Sequence, residues 1–165
     1  MKLLLMRHGE AEPSARTDAD RSLTLFGQDQ VSAVARRLSD MNLRVEASMV
    51  SPYLRARQTA AIMSGANNND LSSARSVDMS STMSGPWPEQ VSDAITPDQS
   101  PERASGAIAA CFENTGVGLV VMHQPIISRL VYYLTGQDQP MGTANLAIIE
   151  APQIALGCCE LECVI

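Results

Sequence analysis

Two histidines are present in the 165-residue chain, and each closes a short apolar run. Lys2-Leu3-Leu4-Leu5-Met6 leads into Arg7-His8-Gly9-Glu10, and Gly118-Leu119-Val120-Val121-Met122 leads into His123-Gln124-Pro125. Runs of this length followed by Gly or Pro suit buried strands of a parallel sheet, and ligands of open α/β sheets bind at the carboxyl ends of such strands. Both imidazoles are therefore expected to face one crevice. Arg7 beside His8 can hold a phosphoryl group while a ring nitrogen attacks phosphorus, since histidine is an established covalent nucleophile. Gly9, with no Cβ, is expected to let the backbone come close to the ligand.

A further segment, Ser51-Pro52-Tyr53-Leu54-Arg55-Ala56-Arg57-Gln58-Thr59-Ala60, lies just beyond a predicted strand and inside the first turns of a helix. From there Arg55 would enter the crevice, where a planar guanidinium grips phosphate through two parallel hydrogen bonds and the helix N-terminus adds attraction. A solvated helix arginine is the other reading of Arg55, and the better one for Arg57. His123 taken by itself reads as a satisfied core histidine. Two strand-end histidines with two arginines nevertheless make a pocket suited to charge developing on phosphoryl oxygens, where positioning and electrostatics do most of the catalytic work.

The elements that would carry these groups can be read along the chain. Thr24 is placed as the N-cap of a helix whose inner face is Val31, Val34, Ala35, Leu38 and Met41. Ala47 to Val50 forms a second strand. Ser51-Pro52 then supplies a cap and a first-turn proline for a helix from Tyr53 to about Met63. Asn67 to Asp70 and the serine-rich stretch from Ser72 to Ser84, closing with Gly85-Pro86-Trp87-Pro88, read as loop with at most one short strand around Val77. Ser100-Pro101-Glu102 opens a helix to about Asn114, the strand ending at His123 follows, and Pro125 opens a helix that Gly136 ends. Leu146 to Ile149 and the run from Ile154 to Val164 read as two closing strands near a sheet edge. Strand and helix alternate, so the expected fold is a three-layer α/β/α sandwich with a mostly parallel central sheet.

Length sets the expectation of a single domain spanning residues 1–165. The net charge of −6 argues against a general nucleic-acid surface, and an anionic substrate would need a locally positive pocket. Arg7 interrupts the N-terminal apolar stretch, so neither a secretory segment nor a membrane span fits, and the cytoplasm is the expected compartment. Cys111, Cys158, Cys159 and Cys163 contain no C-x-x-C pair, and both histidines have other employment. They are expected to be buried, reduced, structural thiols, with no metal.

Leu4 to Ala11, Ser51 to Ala60 and Val121 to Pro125, three separated motifs in order, resemble the histidine phosphatase superfamily, also known as the phosphoglycerate mutase-like fold. Asp20-Arg21-Ser22-Leu23-Thr24 followed by Gly27 resembles a further stretch of the short bacterial SixA-type phosphohistidine phosphatases. The resemblance implies that His8 becomes phosphorylated, that Arg7, Arg55 and His123 complete the phosphate pocket, and that no cofactor is needed. Arg21 either faces that pocket too or pairs with a surface carboxylate. Where the family pattern usually has Gly before the second histidine this chain has Met122, expected to narrow or reshape the pocket wall.

The expected path has two steps: neutral His8, its tautomer fixed by backbone neighbours, attacks phosphorus in line, and water then releases phosphate. His123, at least partly protonated, would help stabilise the equatorial oxygens. An alkoxide leaving group would need a general acid, for which Asp78 and Glu89 are the candidates, although a solvated carboxylate is the better reading of each. An imidazole leaves more readily, so the sequence leans towards phosphohistidine on a protein such as a histidine phosphotransfer domain or a phosphocarrier, in a signal-transduction setting. The alternatives are a phosphatase or mutase for small phosphate esters, and a phosphate- or phosphoprotein-binding module without turnover.

Overall fold

The computed structural model describes residues 1–66 and 87–165. In chain order these form β1 (Lys2–Arg7), α1 (Leu25–Asp40), β2 (Ala47–Val50), α2 (Leu54–Ala66), β3 (Glu89–Val91), α3 (Pro101–Cys111), β4 (Val117–Met122), α4 (Ile126–Thr135), β5 (Leu146–Glu150) and β6 (Glu160–Val164). Short 3₁₀ turns span Asp18–Asp20 and Asp93–Ile95. The strands make one six-stranded sheet in the order β3-β2-β4-β1-β5-β6. The first four run parallel, while β5 lies antiparallel to β1 and β6 antiparallel to β5.

Side chains alternate across the sheet and divide the core in two, as strand geometry requires. Leu4 and Met6 of β1 join Val31, Val34 and Leu38 of α1 and Ala56, Ala60 and Met63 of α2 on one face. Leu3 and Leu5 join Ile108 of α3 and Ile126, Leu130 and Leu134 of α4 on the other. The result is the expected three-layer α/β/α sandwich with a mostly parallel sheet. Burying each such aliphatic side chain contributes roughly 1.5–3 kcal/mol relative to leaving it in water. Among the described residues no helix is long and apolar enough to cross a membrane.

Several expected caps are present. Thr24 Oγ1 accepts from the Gly27 N–H at 2.9 Å, Ser100 Oγ accepts from the Arg103 N–H at 3.3 Å, and Gly136 adopts the left-handed conformation that ends α4. Other boundaries differ. α1 stops at Asp40, so Met41 lies past the helix and is exposed. α3 stops at Cys111 rather than Asn114, because Asn114 takes a left-handed turn (φ 65°) that redirects the chain into β4. α2 begins at Leu54, continues past Met63 and is not capped by Ser51, whose hydroxyl is used elsewhere. β3 occupies Glu89–Val91, just past the expected loop, and only the last five residues of the run from Ile154 form a strand. The readings for Asn67 to Asp70, Ser72 to Ser84, Val77, Asp78 and Gly85-Pro86 fall outside the described residues.

The cysteines are free thiols, but burial was the wrong expectation for them. Cys158 and Cys163 are exposed, and Cys111 and Cys159 are half-buried. Cys163 sits on β6, an edge strand that few elements cover.

Candidate active site

Parallel pairing of β1 with β4 sets Arg7 opposite Met122, so the next residue of each strand is a histidine and both leave the sheet at the same level. The His8 N–H donates to the Met122 carbonyl at 3.1 Å, and the Ser51 N–H donates to the Val121 carbonyl at 3.1 Å. Three strand ends thereby meet. The rings of His8 and His123 lie 5.0 Å apart between centroids with a 55° tilt, in one crevice as expected.

His8 is buried, and its hydrogen bonds determine which nitrogen carries the proton. A carbonyl only accepts, so Nδ1–H donates to the Gly9 oxygen at 2.7 Å; a guanidinium only donates, so Nε2 accepts from Arg55 Nε–H at 3.2 Å. The unprotonated nitrogen thus faces the cations. Burial pushes the His8 pKa down to about 4; the Gly9 carbonyl opposes this, and the charges of Arg55, Arg7 and Arg21 reinforce it. His8 is neutral at physiological pH.

Arg55 is almost wholly buried. Its Nη1 donates to the Asp18 carbonyl at 2.5 Å and its Nη2 to Asp18 Oδ2 at 2.9 Å, while its Cζ sits 4.9 Å from the Tyr53 ring centroid. Tyr53 also lies 4.8 Å from the His123 ring and so links the two. Arg7 Nη1 donates to the Met141 carbonyl at 2.9 Å. Burial, and then the charge of Arg55, lowers the Arg7 pKa. Arg7 Nε and His123 Nδ1 are buried donors or acceptors with no partner among the described residues.

His123 Nε2 stands 2.7 Å from Ser51 Oγ. Burial, coupling to the His8 ring and the charge of Arg55 drive its pKa well below the usual imidazole value, against the opposing charge of Asp18. The expected partial protonation is therefore corrected: this ring is neutral, because desolvation and cationic neighbours all disfavour a second positive charge.

Arg21 takes the second of its two readings, pairing with a carboxylate. Its Nη1 donates to Asp18 Oδ1 at 3.0 Å, and Asp18 in turn holds Arg55, so a surface carboxylate ties Arg21 to the rim of the site. Burial pushes the Asp18 carboxyl up, but hydrogen bonds from Arg55 and Arg21 outweigh it and hold the group below its ordinary value. Asp18, Ser51 and Tyr53 escaped the sequence reading as site residues. Asp18 carries no local motif, and Ser51-Pro52 looked like a helix cap.

Two other expectations are corrected, and Glu89 lies where a solvated carboxylate would. Met122 is fully buried in the core facing α4 and does not shape a pocket wall, because alternation along β4 turns it away. Gly9 admits protein rather than ligand: a Cβ there would come within 2.5 Å of the Gly27 carbonyl at the start of α1. Glu89 lies on edge strand β3 and is exposed at its surface, although burial of part of the side chain raises its pKa against the opposing charge of Arg57.

Residues 3–78 match the histidine phosphatase superfamily (branch 1). Phosphohistidine phosphatase SixA of Escherichia coli is 30% identical over 151 residues, which cover 88% of this chain and 81% of that protein. A SixA homolog of Haemophilus influenzae is 27% identical over 148 residues, covering 86% of this chain and 81% of that one. The solved structure of the protein histidine phosphatase SixA complexed with tungstate superposes with a TM-score of 0.83 at 25% identity, covering 100% of this chain and 96% of the other.

Proposed function

The chain belongs to the histidine phosphatase superfamily, and from that membership and its site we propose that it is a phosphohistidine protein phosphatase that passes the phosphoryl group through His8. The observation that carries this reading is the tautomer of His8: a buried, neutral ring whose Nε2 lone pair points at Arg55. Such a nitrogen attacks phosphorus without first losing a proton.

The steps follow from the groups around it. The phosphoryl group enters between His8 and Arg55, displacing the Arg55 Nε–H from Nε2. A bond forms from Nε2 to phosphorus as the bond to the leaving nitrogen breaks. Arg7, Arg55 and His123 donate to the equatorial oxygens, and the phosphoryl anion favours the positive form of His123 while His8 attacks as the neutral ring. Water then attacks phosphorus from the mouth and releases inorganic phosphate, returning His8 to its starting state.

The expected substrates are histidine phosphotransfer domains or phosphocarriers, in a cytoplasmic signalling setting. That the E. coli and H. influenzae relatives are a phosphohistidine phosphatase and its homolog supports a phosphohistidine substrate. One test is to follow phosphate release from a panel of phosphohistidine proteins and sugar phosphates, with His8→Ala as control. Preferred hydrolysis of the phosphohistidine proteins, lost in His8→Ala, is the expected result, and equal release by both proteins would remove His8 from the mechanism. A second reading is ester hydrolysis, for which Glu89 is the sequence candidate for proton donor. Preference for sugar phosphates would select it, and failure to trap phosphorylated His8 from any donor would leave only a binding module.

A further inference from the structure

A phosphoimidazole poses one chemical problem that an ester does not. Its ring leaves as a neutral molecule only when the nitrogen remote from phosphorus already carries a proton, and otherwise it must leave as an anion. An enzyme for this substrate gains from a fixed negative charge beside the leaving ring, because such a charge favours the protonated ring.

Asp18 is placed to supply that charge. Its Oδ2 lies 2.9 Å from Arg55 Nη2 and its Oδ1 3.0 Å from Arg21 Nη1, while Nε–H of the same Arg55 guanidinium meets His8 Nε2 at 3.2 Å. Nucleophile and carboxylate thus share one guanidinium. The Asp18 side chain is 57% exposed whereas His8 is buried, so the carboxylate is open to a group that arrives from solvent while the nucleophile is not. Among the described residues, Asp18 is the only carboxylate ion-paired with Arg55. Each carboxylate oxygen keeps lone-pair capacity beyond its arginine contact.

Building on the phosphohistidine reading, we propose that Asp18 selects phosphoimidazole substrates by accepting a hydrogen bond from the remote ring N–H of the substrate. In the step, the bond from His8 Nε2 to phosphorus forms, the phosphorus–nitrogen bond of the substrate breaks, and its electron pair stays on the departing ring. That ring already holds its proton on the other nitrogen and leaves as neutral imidazole, so Asp18 neither gains nor loses a proton. The two arginines keep Asp18 ionised, which suits this role and makes it useless as an acid towards an alkoxide. The charged and titratable groups facing Asp18 are Arg55 from α2, Arg21 beside its own turn and His123 at the end of β4.

The test compares the full-length protein with Asp18→Asn and Asp18→Glu on three probes: a phosphohistidine-bearing phosphocarrier, N-phosphoimidazole and p-nitrophenyl phosphate. Asp18→Asn is expected to lower kcat/KM on both phosphoimidazole probes by about 30-fold more than it lowers kcat/KM on p-nitrophenyl phosphate, whose own loss reads the support that Asp18 gives Arg55. Asp18→Glu should recover part of the loss. The alkaline limb of the phosphoimidazole pH profile should also move to lower pH in Asp18→Asn, because the substrate ring loses its proton more readily without the carboxylate. Equal losses on all three probes would show that Asp18 merely props Arg55, and no loss would show that it is a bystander; either overturns this inference alone. Wild-type protein that cleaves the aryl ester but neither phosphoimidazole would overturn the phosphohistidine reading together with it.

Discussion

Ser51 Oγ and His123 Nε2 stand 2.7 Å apart although 72 positions separate them in the chain. Both residues are buried, so removing the hydroxyl leaves a ring nitrogen without a partner and without water. Ser51→Ala is expected to cost about 1–3 kcal/mol in urea unfolding. It should also lower kcat about 10-fold by freeing the His123 ring, with KM less affected. Unchanged kcat would mean that His123 needs no support from Ser51.

The depressed pKa of His8 sets a pH signature for activity. Attack requires the neutral ring, so the acidic limb of kcat/KM is expected near pH 4 rather than near 6.5, measured on an aryl phosphate that survives acid. A limb near 6.5 would show that the ring is not desolvated as described.

Stability should follow the same proton. Between about pH 6.5 and 4 the unfolded chain protonates His8 and the folded chain does not, so the unfolded state binds more protons there. This contribution is fully present above 6.5 and is lost as pH falls through that window; His123 acts in the same direction. The His8 share is of the order of 3 kcal/mol. His8→Ala should flatten the fall in unfolding free energy seen on acidification.

Arg55 meets His8, Asp18 and Tyr53 with different parts of one planar group. Lysine offers a point charge with no fork, so Arg55→Lys is expected to lose at least about 100-fold in kcat/KM despite keeping the charge. Steady-state assays beside circular dichroism would separate this from unfolding. Activity within a few-fold of wild type would reduce Arg55 to a source of positive potential.

Gly9 and Gly27 bring the loop after His8 against the first turn of α1. A Cβ on Gly9 would sit 2.5 Å from a backbone oxygen, an atom that cannot rotate away. Gly9→Ala should therefore cost about 1–3 kcal/mol and lower the melting temperature. A melting temperature equal to that of wild type would show that the two segments separate freely.

Local signals carried much of the fold into view before any coordinates. Thr24, Ser100-Pro101 and Gly136 each mark a helix end through a bond to a residue a few positions away, which a linear reading can see. The two histidines were legible because an apolar run ending in His, Gly or Pro is itself local. Ser51 was misread for the same reason: Ser-Pro is a strong capping signal, and its competitor, His123, arrives only through the pairing of β2 with β4. Asp18 was invisible because its value lies in arginines 3 and 37 positions away, brought together by an unremarkable turn. The facing of Met122 required the phase of β4, which a run of five apolar residues conceals.

Because Arg7 sits level with Met122 across two parallel strands, the two rings owe their meeting to a count of residues rather than to any flexible hinge. Adding or deleting one position within β1 or β4 would send one ring to the opposite face of the sheet and leave its partner behind. The connecting segments carry no such arithmetic, and lengthening residues 10–23 would move Asp18 and its hold on Arg55 while leaving both rings in register. Variation in this architecture is thereby channelled into the choice of guest, while the reacting atoms stay at fixed places on the strand ends.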